Sequence, residues 1–427
     1  MHAFRLLILL LVLTPLLSAQ SPRAVAPGAI ETYLAGLAGQ GQLSGTLLIG
    51  RGAEILFEGS YGRSDYETAQ PNTSGTLFAV ASVTKPLTGI AARLLAADGR
   101  VSLEEPIAKW LPDFPNGSRI TLAHLLGHRS GLPHRVTGIE DEQQLQTAES
   151  ITRLASKVSL RFEPGEQRLY SSTGYSVLAH VLERAAAKPY AQLLRELILA
   201  PASATTALDA TDPALATKTR AKGYFWTPDG ALRAPSKSLS FLVGAGSLWA
   251  TPRDLFNVVR RIVTGGYGNA VSGALAQNGA IHWTGWTNGF LALVDYSPAT
   301  DVTLVFTGNL LTGASAWIEQ DVPRLLARDL VAERRVPRPK AVALSADSRR
   351  RLEGIYDYGG NEQPLTFLSA SLALLGGEYL LVATGDTSFF APQNYGDYTV
   401  LAEPNGTVTA IQLLTDPSIR MRRVVTR

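Results

Sequence analysis

The arrangement with the clearest chemistry in this chain is a serine followed three positions later by a lysine, Ser82-Val83-Thr84-Lys85. Hydrolysis by a serine needs a base within hydrogen-bond reach of the hydroxyl, and a neutral lysine can provide one. On a helix, residues three positions apart lie on the same face, one turn apart. The tetrapeptide therefore predicts a nucleophile, Ser82, with Lys85 as its base.

The position of this pair at the start of a predicted helix would favour that chemistry. Ile90, Leu94 and Leu95 follow Ser82 at helical spacing. The free backbone N–H groups at a helix start form a positive end, which disfavours a second positive charge on Lys85 and favours an alkoxide on Ser82. Burial of Lys85 would lower its pKa in the same direction. The alternative is a helix-capping serine followed by an exposed lysine, which also fits the tetrapeptide taken alone.

The main region that surrounds the pair, residues 24–332, mixes strands and helices. Two strand-like runs, Gly45–Gly50 and Glu54–Gly59, are joined by a short turn, and Leu291–Tyr296 and Val302–Thr307 form a second hairpin. Helical patterns lie between the two hairpins. We therefore predict an α/β (α+β) fold, in which an antiparallel sheet is flanked by helices and carries a helical subdomain.

The two ends of the chain differ from this region. Residues 333–343 are rich in proline and arginine, which is typical of a linker. Residues 344–427 contain short apolar runs separated by Gly-Gly, Gly-Asp and Asn-Gly pairs, and they predict a small β-rich domain. Residues 1–19 have the pattern of a signal peptide, with Arg5 before an apolar run that is short for a membrane span. An uncleaved anchor is the alternative for that segment.

The composition excludes several kinds of site. The chain has no cysteine, so disulfides, thiol catalysis and cysteine-ligated metals are impossible. It has no phosphate loop, dinucleotide fingerprint or Gly-x-Ser-x-Gly elbow, and His124, His128 and His134 are interpreted as structural, so we predict no metal or cofactor. A net charge of +3 without a basic run argues against nucleic acid. An exported chain without disulfides suits a bacterial periplasm or exterior.

The stretch Leu77–Thr88 resembles the nucleophile segment of the β-lactamase-related serine hydrolases, which include class C β-lactamases, D-alanyl-D-alanine carboxypeptidases and family VIII carboxylesterases. The resemblance continues over nearly the whole main region, at Trp110-Leu111-Pro112, Thr121–Leu126, Ser130-Gly131-Leu132 and Glu163-Pro164-Gly165. It implies a β-lactamase/transpeptidase-like fold and an acyl-enzyme at Ser82. The run Leu352–Tyr356 resembles the first strand of the lipocalin-like β-barrel that follows many of these hydrolases.

Two further motifs of the family appear here in altered form. Tyr-x-Asn becomes Tyr170-Ser171-Ser172, so the resemblance makes Tyr170 a proton relay and places the shorter hydroxyl of Ser172 where the family has an amide. Lys-Thr-Gly aligns with Trp283-Thr284-Gly285. The family's oxyanion donors then correspond to the backbone amides of Trp286 and Ser82. Gly285 is expected to let the substrate backbone approach the strand closely.

Trp283 bears on the choice of substrate, because a lysine or histidine there would bind a carboxylate and tryptophan cannot. Its neighbour His282 is expected on the opposite face of the strand, unless the register shifts by one residue. We expect a small-molecule ester or amide, or a peptidoglycan-like compound, with a preference for carboxylesters or uncharged acyl groups. The alternatives are a D-Ala peptidase or β-lactamase-type amide hydrolase, and a penicillin- or peptidoglycan-binding receptor without turnover.

Overall fold

The computed structural model describes residues 27–136, 144–268, 278–358 and 361–424. The predicted signal peptide lies outside the described residues. Within these four ranges, no helix combines the length and the apolar character that crossing a bilayer would require.

The helices in the described ranges are α1 (Pro27–Gly39), α2 (Thr84–Ala97), α3 (Leu122–Leu126), α4 (Ala148–Ala155), α5 (Ser172–Ala186), α6 (Tyr190–Leu194), α7 (Pro252–Val263), α8 (Ala314–Leu326) and α9 (Ala346–Leu352). The strands are β1 (Gly45–Arg51), β2 (Glu54–Tyr61), β3 (Arg63–Asp65), β4 (Gln70–Pro71), β5 (Phe78–Ala79), β6 (Leu208–Asp209), β7 (Tyr224–Thr227), β8 (Gly230–Arg233), β9 (Leu248–Ala250), β10 (Ile281–Thr287), β11 (Phe290–Ser297), β12 (Val302–Gly308), β13 (Leu310–Leu311), β14 (Gly354–Tyr358), β15 (Asn361–Phe367), β16 (Leu372–Leu375), β17 (Tyr379–Gly385), β18 (Ser388–Ala391), β19 (Gly396–Ala402), β20 (Val408–Leu413) and β21 (Arg420–Arg423).

The main sheet is antiparallel, with the strand order β10-β11-β12-β1-β2. Its two predicted hairpins are β1–β2 and β11–β12, and β1 joins them by pairing with β12, so that Gly45 lies opposite Gly308. Alternate residues of β1 point to opposite faces, as a strand requires. Leu47 and Ile49 pack with α1 and α8, whereas Leu48 packs with α2 and the helical region. The predicted fold class is therefore confirmed: an antiparallel sheet lies between helices.

Helix α2 is the central element of the helical region, and most of its residues are buried. Apolar residues such as Leu87 and Ile90 belong to the largest core cluster, together with residues of α5 and α7. Burial of this apolar surface stabilises the helix far more than its intrinsic propensity does. The residues at its start are consequently held in a rigid environment.

The C-terminal region forms a closed barrel of eight strands, β14 to β21. The barrel closes where Tyr356 of β14 pairs with Arg423 of β21. Its interior is filled by large side chains such as Tyr356 and Phe389, both almost fully buried. The first strand was expected to begin at Leu352. It begins at Gly354, and Leu352 is the last residue of the preceding helix α9.

The barrel is fixed against the main domain at several points. The segment between them is anchored by Arg334, which donates to both carboxylate oxygens of Asp321 on α8 at 2.6 and 2.8 Å. The phenol of Tyr395 donates to Gln42 Oε1 at 2.7 Å, and the Gly313 amide donates to the carbonyl of Pro392 at 2.8 Å. The last two contacts hold the segment between β18 and β19 against the main domain.

Candidate active site

The structure brings Ser82, Lys85 and Tyr170 together. Ser82 lies in a 3₁₀ turn, Ala81–Val83, directly before α2. Lys85 Nζ is 3.0 Å from Ser82 Oγ and also donates to the carbonyl of Ala245 at 2.9 Å. The phenol oxygen of Tyr170 lies 2.7 Å from Ser82 Oγ. The hydroxyl therefore has two neighbours that can exchange a proton with it.

Lys85 is almost completely buried, with 5 % of its surface exposed. Burial lowers the pKa of its ammonium from 10.5 to about 7, and the positive charge of Arg135 acts in the same direction. At neutral pH a large fraction of the molecules therefore carries a neutral amine at this position. A neutral amine beside a serine hydroxyl can accept its proton.

Tyr170 is held by an aromatic cluster and by the start of α5. Its ring lies 4.6 Å from that of His128 and 5.4 Å from that of His134. Burial lowers the pKa of His128 to about 4 and that of His134 to about 3, so both rings are neutral at pH 7. The next residue, Ser171, caps α5 by accepting from the Gly174 amide at 2.8 Å. Burial raises the pKa of the Tyr170 phenol, which therefore carries its proton at neutral pH.

Gly285 of the third motif packs directly against the nucleophile segment. A Cβ at this position would lie 2.3 Å from the Val80 carbonyl oxygen and 2.7 Å from the Ser82 amide nitrogen. No side chain fits such distances, so glycine is required where β10 meets the turn that carries the nucleophile. Gly285 was expected to let the substrate backbone approach closely, and in the structure the backbone that approaches it is that of the nucleophile segment.

The other residues of β10 have different environments. Trp283 is half-buried, whereas Thr284 is exposed, and both line the cleft beside Ser82. Trp286 is 47 % exposed, and its ring meets that of Tyr379 from the barrel edge-on at 6.3 Å. Because β10 is the edge strand of the sheet, the backbone groups on its outer side have no strand partner among the described residues. The backbone amide of Trp286 belongs to this edge and can therefore serve as the oxyanion donor that the family resemblance implies.

Ser172, like Gly285 and Trp286, is not among the residues that line the cleft beside Ser82. It is buried in the first turn of α5, where its amide donates to the His134 carbonyl at 3.1 Å. Beside it is a void of about 10 Å³ that Arg135 also lines.

The cleft beside Ser82 has a volume of about 450 Å³. Sequence reasoning did not single out three residues that line it, Arg93, Arg168 and Tyr175. Arg93 could have been found, because it follows Lys85 by two helical turns and so lies on the same face of α2. Arg168 precedes a predicted site residue in an irregular segment, and no periodic pattern marks it.

A carboxylate from the barrel also reaches the surroundings of the site. Glu378, in the turn between β16 and β17, is buried and lies 2.8 Å from Arg135 Nη2. Thr287, at the end of β10, donates to its other oxygen at 2.7 Å. Burial alone would raise the pKa of Glu378, but Arg135 and Lys237 lower it below the usual value, so the carboxylate is ionised at neutral pH.

One group of side chains in the described ranges could offer ligands to a metal ion. It consists of His282, Asp295 and Glu319, whose ligand atoms lie within 4.8 Å of one another. His282 Nδ1 is already 2.6 Å from Asp295 Oδ1 across the β10–β11 pair, and the imidazole and Glu319 are exposed. His282 also lines the cleft at the end away from Trp286.

A protein-family model described as Beta-lactamase matches residues 30–271 of this chain. Penicillin-binding protein 4* of Bacillus subtilis (strain 168) is 33 % identical over 178 residues, which are 40 % of this chain and 39 % of that protein. Esterase EstB of Burkholderia gladioli is 36 % identical over 173 residues, 36 % of this chain and 44 % of that protein. The chain thus matches less than half the length of these two relatives.

Among solved structures, that of SurE has a similar fold over almost the whole chain. It covers 93 % of this chain and 99 % of its own, with a TM-score of 0.61 and 22 % identity. The similarity therefore extends through the barrel as well as the main domain. Because the family model spans more than half of the chain, from α1 beyond α7, this protein belongs to the β-lactamase family.

Proposed function

We propose that this protein is an exported serine hydrolase that cleaves a carboxylester through an acyl-enzyme at Ser82. The observation that carries the proposal is the pair formed by Ser82 Oγ and Lys85 Nζ, 3.0 Å apart, with the pKa of Lys85 lowered to about 7. Such an amine is neutral often enough to act as a base and basic enough to accept the proton of a hydroxyl.

The proposed reaction has two halves. Ser82 Oγ attacks the ester carbonyl while its proton passes to Lys85, and the backbone amides of Ser82 and Trp286 stabilise the oxyanion. The tetrahedral intermediate expels the alcohol, which takes up a proton from Lys85 through Tyr170, and the acyl group remains on Ser82. Water then attacks the acyl-enzyme, gives up a proton by the reverse route, and the acid is released as Ser82 regains its hydrogen.

Two observations favour an ester over an amide. The third motif carries Trp283 in place of a cation, and Ser172 lies outside the cleft, so the side chains with which the family would hold a peptide-like substrate are altered. The relative EstB is named as an esterase, whereas the similarity to penicillin-binding protein 4* supports the alternative of penicillin binding or amide hydrolysis.

The test compares three reagents on the purified protein: a fluorophosphonate, 4-nitrophenyl butyrate and benzylpenicillin. Intact mass and product release are followed for the wild type, for Ser82→Ala and for a control at an exposed serine, Ser74→Ala. Ester turnover that disappears only in Ser82→Ala supports the proposal. A stable penicillin adduct without release would favour a receptor, and absence of labelling at Ser82 by all three reagents would exclude the acyl-enzyme.

We further propose that residues 1–19 are removed on export, and that 24–332 and 344–427 form the catalytic and barrel domains on either side of the 333–343 linker. The signal-peptide pattern supports the first part, and the closed barrel that begins after α9 supports the second. Mass spectrometry of the protein recovered from a bacterial periplasm should give an N-terminus at Gln20. Recovery of the intact N-terminus from that fraction would contradict the cleavage.

A further inference from the structure

The cleft beside Ser82 is positively charged. Three cationic side chains line it, Lys85, Arg93 and Arg168, and no carboxylate of the described residues does. Lys85 is neutral in part near pH 7, whereas both guanidiniums are always charged. A substrate in this cleft therefore meets two fixed positive charges.

Neither guanidinium is neutralised by a neighbour in the described part of the chain. Arg93 Nη1 donates to the carbonyl of Gly89 at 3.1 Å, a neutral acceptor, and neither arginine forms an ion pair with a described carboxylate. Surface arginines in this protein commonly have such partners, as Arg253 does with Glu58 and Arg260 with Asp301. The cleft arginines thus retain hydrogen-bond donors and charge for another group.

Both charges act on the residues around Ser82. Burial raises the pKa of Tyr175 to about 12, and the charges of Arg93 and Arg168 oppose that rise. Burial lowers the pKa of His128 to about 4, and the charges of Lys85 and Arg168 add to the effect. Arg168 is therefore close enough to the cleft to influence groups beside the nucleophile.

The position of Arg93 depends on a glycine. Lys85, Gly89 and Arg93 follow one another at four-residue intervals along one face of α2. A Cβ at Gly89 would lie 3.2 Å from Arg93 Nη1, so even an alanine there would require the guanidinium to shift by a few tenths of an ångström. The absence of a side chain at Gly89 lets Arg93 fold back towards Lys85 along the wall of the cleft.

We propose that Arg93 and Arg168 bind an oxyanion group of the substrate, a carboxylate or a phosphoryl group, and that the substrate is therefore an anionic ester. This inference rests on the proposed function. A guanidinium fork matches either group with paired hydrogen bonds. The third motif has Trp283 where the family has a cation. The two arginines provide a positive charge from a different wall of the cleft, formed by α2 and the segment before Tyr170. The proposed substrate carries its negative charge in the acyl or the leaving group, and in this it differs from the uncharged acyl group expected from Trp283.

The test uses pairs of esters that differ by one charge. For the leaving group, 3-carboxyphenyl butyrate is compared with its methyl ester and with 3-(phosphonooxy)phenyl butyrate. For the acyl group, 4-nitrophenyl hydrogen succinate is compared with 4-nitrophenyl methyl succinate. The quantity measured is the ratio of kcat/KM for the charged and the neutral ester. We expect a ratio of about 10 or more in at least one pair, falling about tenfold in Arg93→Gln or Arg168→Gln.

Matched controls separate a local effect from a general one. Arg153→Gln removes an exposed arginine of α4 that does not line the cleft, and it should leave the ratio unchanged. The wild-type ratio should fall as salt is added, because the charges are partly open to solvent. The carboxylate and phosphate arms show which oxyanion is preferred.

The outcomes distinguish this inference from the proposed function. Suppose that turnover depends on Ser82, that the charged and neutral esters of every pair have similar kcat/KM, and that the arginine variants change nothing. That result would overturn the anion site and leave the proposed function intact. If no ester is turned over, calorimetry on Ser82→Ala with 3-carboxyphenyl butyrate shows whether the cleft binds an anionic ester. Binding that is lost in Ser82→Ala/Arg168→Gln supports the anion site without the esterase, and no binding overturns both.

Discussion

Glu378 of the barrel and Arg135 of the main domain form a partly buried ion pair at 2.8 Å, close to the nucleophile. Arg135 lowers the pKa of Lys85, and Glu378 neutralises part of the charge responsible. The barrel thereby influences the proton affinity of the proposed base, although it contributes no residue to the Ser82–Lys85–Tyr170 cluster.

Glu378→Gln should therefore lower the pKa of Lys85 further. The full charge of Arg135 would then disfavour the ammonium, and the acidic limb of the pH profile of kcat/KM should move to lower pH. Arg135→Gln should move it to higher pH. The change at Glu378 should also cost about 1–3 kcal/mol of unfolding free energy, because it leaves a partly buried guanidinium without its anion. Asp386→Asn, at an exposed barrel turn, is the control, and identical limbs in all variants would contradict the coupling.

The pH profile of the wild type should report Lys85. The proposed mechanism requires the neutral amine, so kcat/KM should rise with pH, pass half its maximum near pH 7 and level off above it. Protonation of His128 or His134 does not account for a limb there, because their pKa values are lowered to about 4 and about 3. The measurement is kcat/KM for a neutral ester from pH 5 to pH 9. A value that falls as the pH rises through 7 would contradict Lys85 as the base.

Lys85→Met should abolish acylation and stabilise the fold. In the unfolded chain the amine has an ordinary pKa near 10.5, and in the folded protein the value is about 7. Between these values the unfolded state binds more protons, so the cost of burying Lys85 is complete below pH 7 and disappears as the pH rises towards 10.5.

The gain in unfolding free energy should accordingly be a few kcal/mol at pH 6, at about 1.4 kcal/mol for each pKa unit, less the loss of the bond to Ala245. It should shrink at pH 10. Denaturant titrations at both pH values measure it, with Lys157→Met at an exposed lysine as the control. If the unfolding free energy of Lys85→Met at pH 6 is equal to or lower than that of the wild type, burial of Lys85 does not destabilise the folded state.

Tyr170→Phe removes the phenol oxygen 2.7 Å from Ser82 Oγ and keeps the ring that packs on His128. We expect a loss of about 10²- to 10³-fold in the rate of Ser82 acylation, as for removal of a positioned acid or base. The rate of fluorophosphonate labelling gives the measurement. The limb near pH 7 should remain, since Lys85 is retained, and an unchanged labelling rate would remove Tyr170 from the proton route.

Gly285→Ala tests the contact between β10 and the nucleophile segment. The added methyl group would overlap the Val80 carbonyl and the Ser82 amide, so one of the two backbones must move. Activity should fall at least 100-fold, because small displacements of an oxyanion donor have large effects, and stability should fall by about 1–3 kcal/mol. Gly75→Ala, where a Cβ meets only Thr73 at 3.9 Å, is the matched control. Full activity of Gly285→Ala would mean that β10 can move away from the nucleophile segment without loss of catalysis.

Local patterns in the sequence predicted the elements that carry the site. The Ser82–Lys85 spacing, the two hairpins and the β-rich tail each depend on neighbours a few residues away, so periodicity and turn residues are sufficient to detect them. The structure confirms the fold class that they predicted, and it brings Tyr170 and β10 to Ser82 as the family resemblance implied.

The features that sequence reasoning missed depend on contacts between distant segments. Glu378 has no pattern that relates it to Arg135, since the contact exists only once the barrel has docked. The partner of Gly285 was assigned to the substrate because a strand pattern does not show which backbone will pack against it. Ser172 was placed in the cleft by alignment with an asparagine, yet its shorter side chain lies beside a separate void.

The pairing of β1 with β12 also constrains how this protein can be made. The first strands of the main domain are synthesised early, but their central partner and β10 are among its last elements. A nascent or truncated chain that ends before β10 lacks the wall against which the Ser82 turn packs. Closing so long a loop is entropically costly, which favours slow folding. If the chain is exported as proposed, that order is advantageous, because a segment that has not yet folded can still pass through a translocation channel.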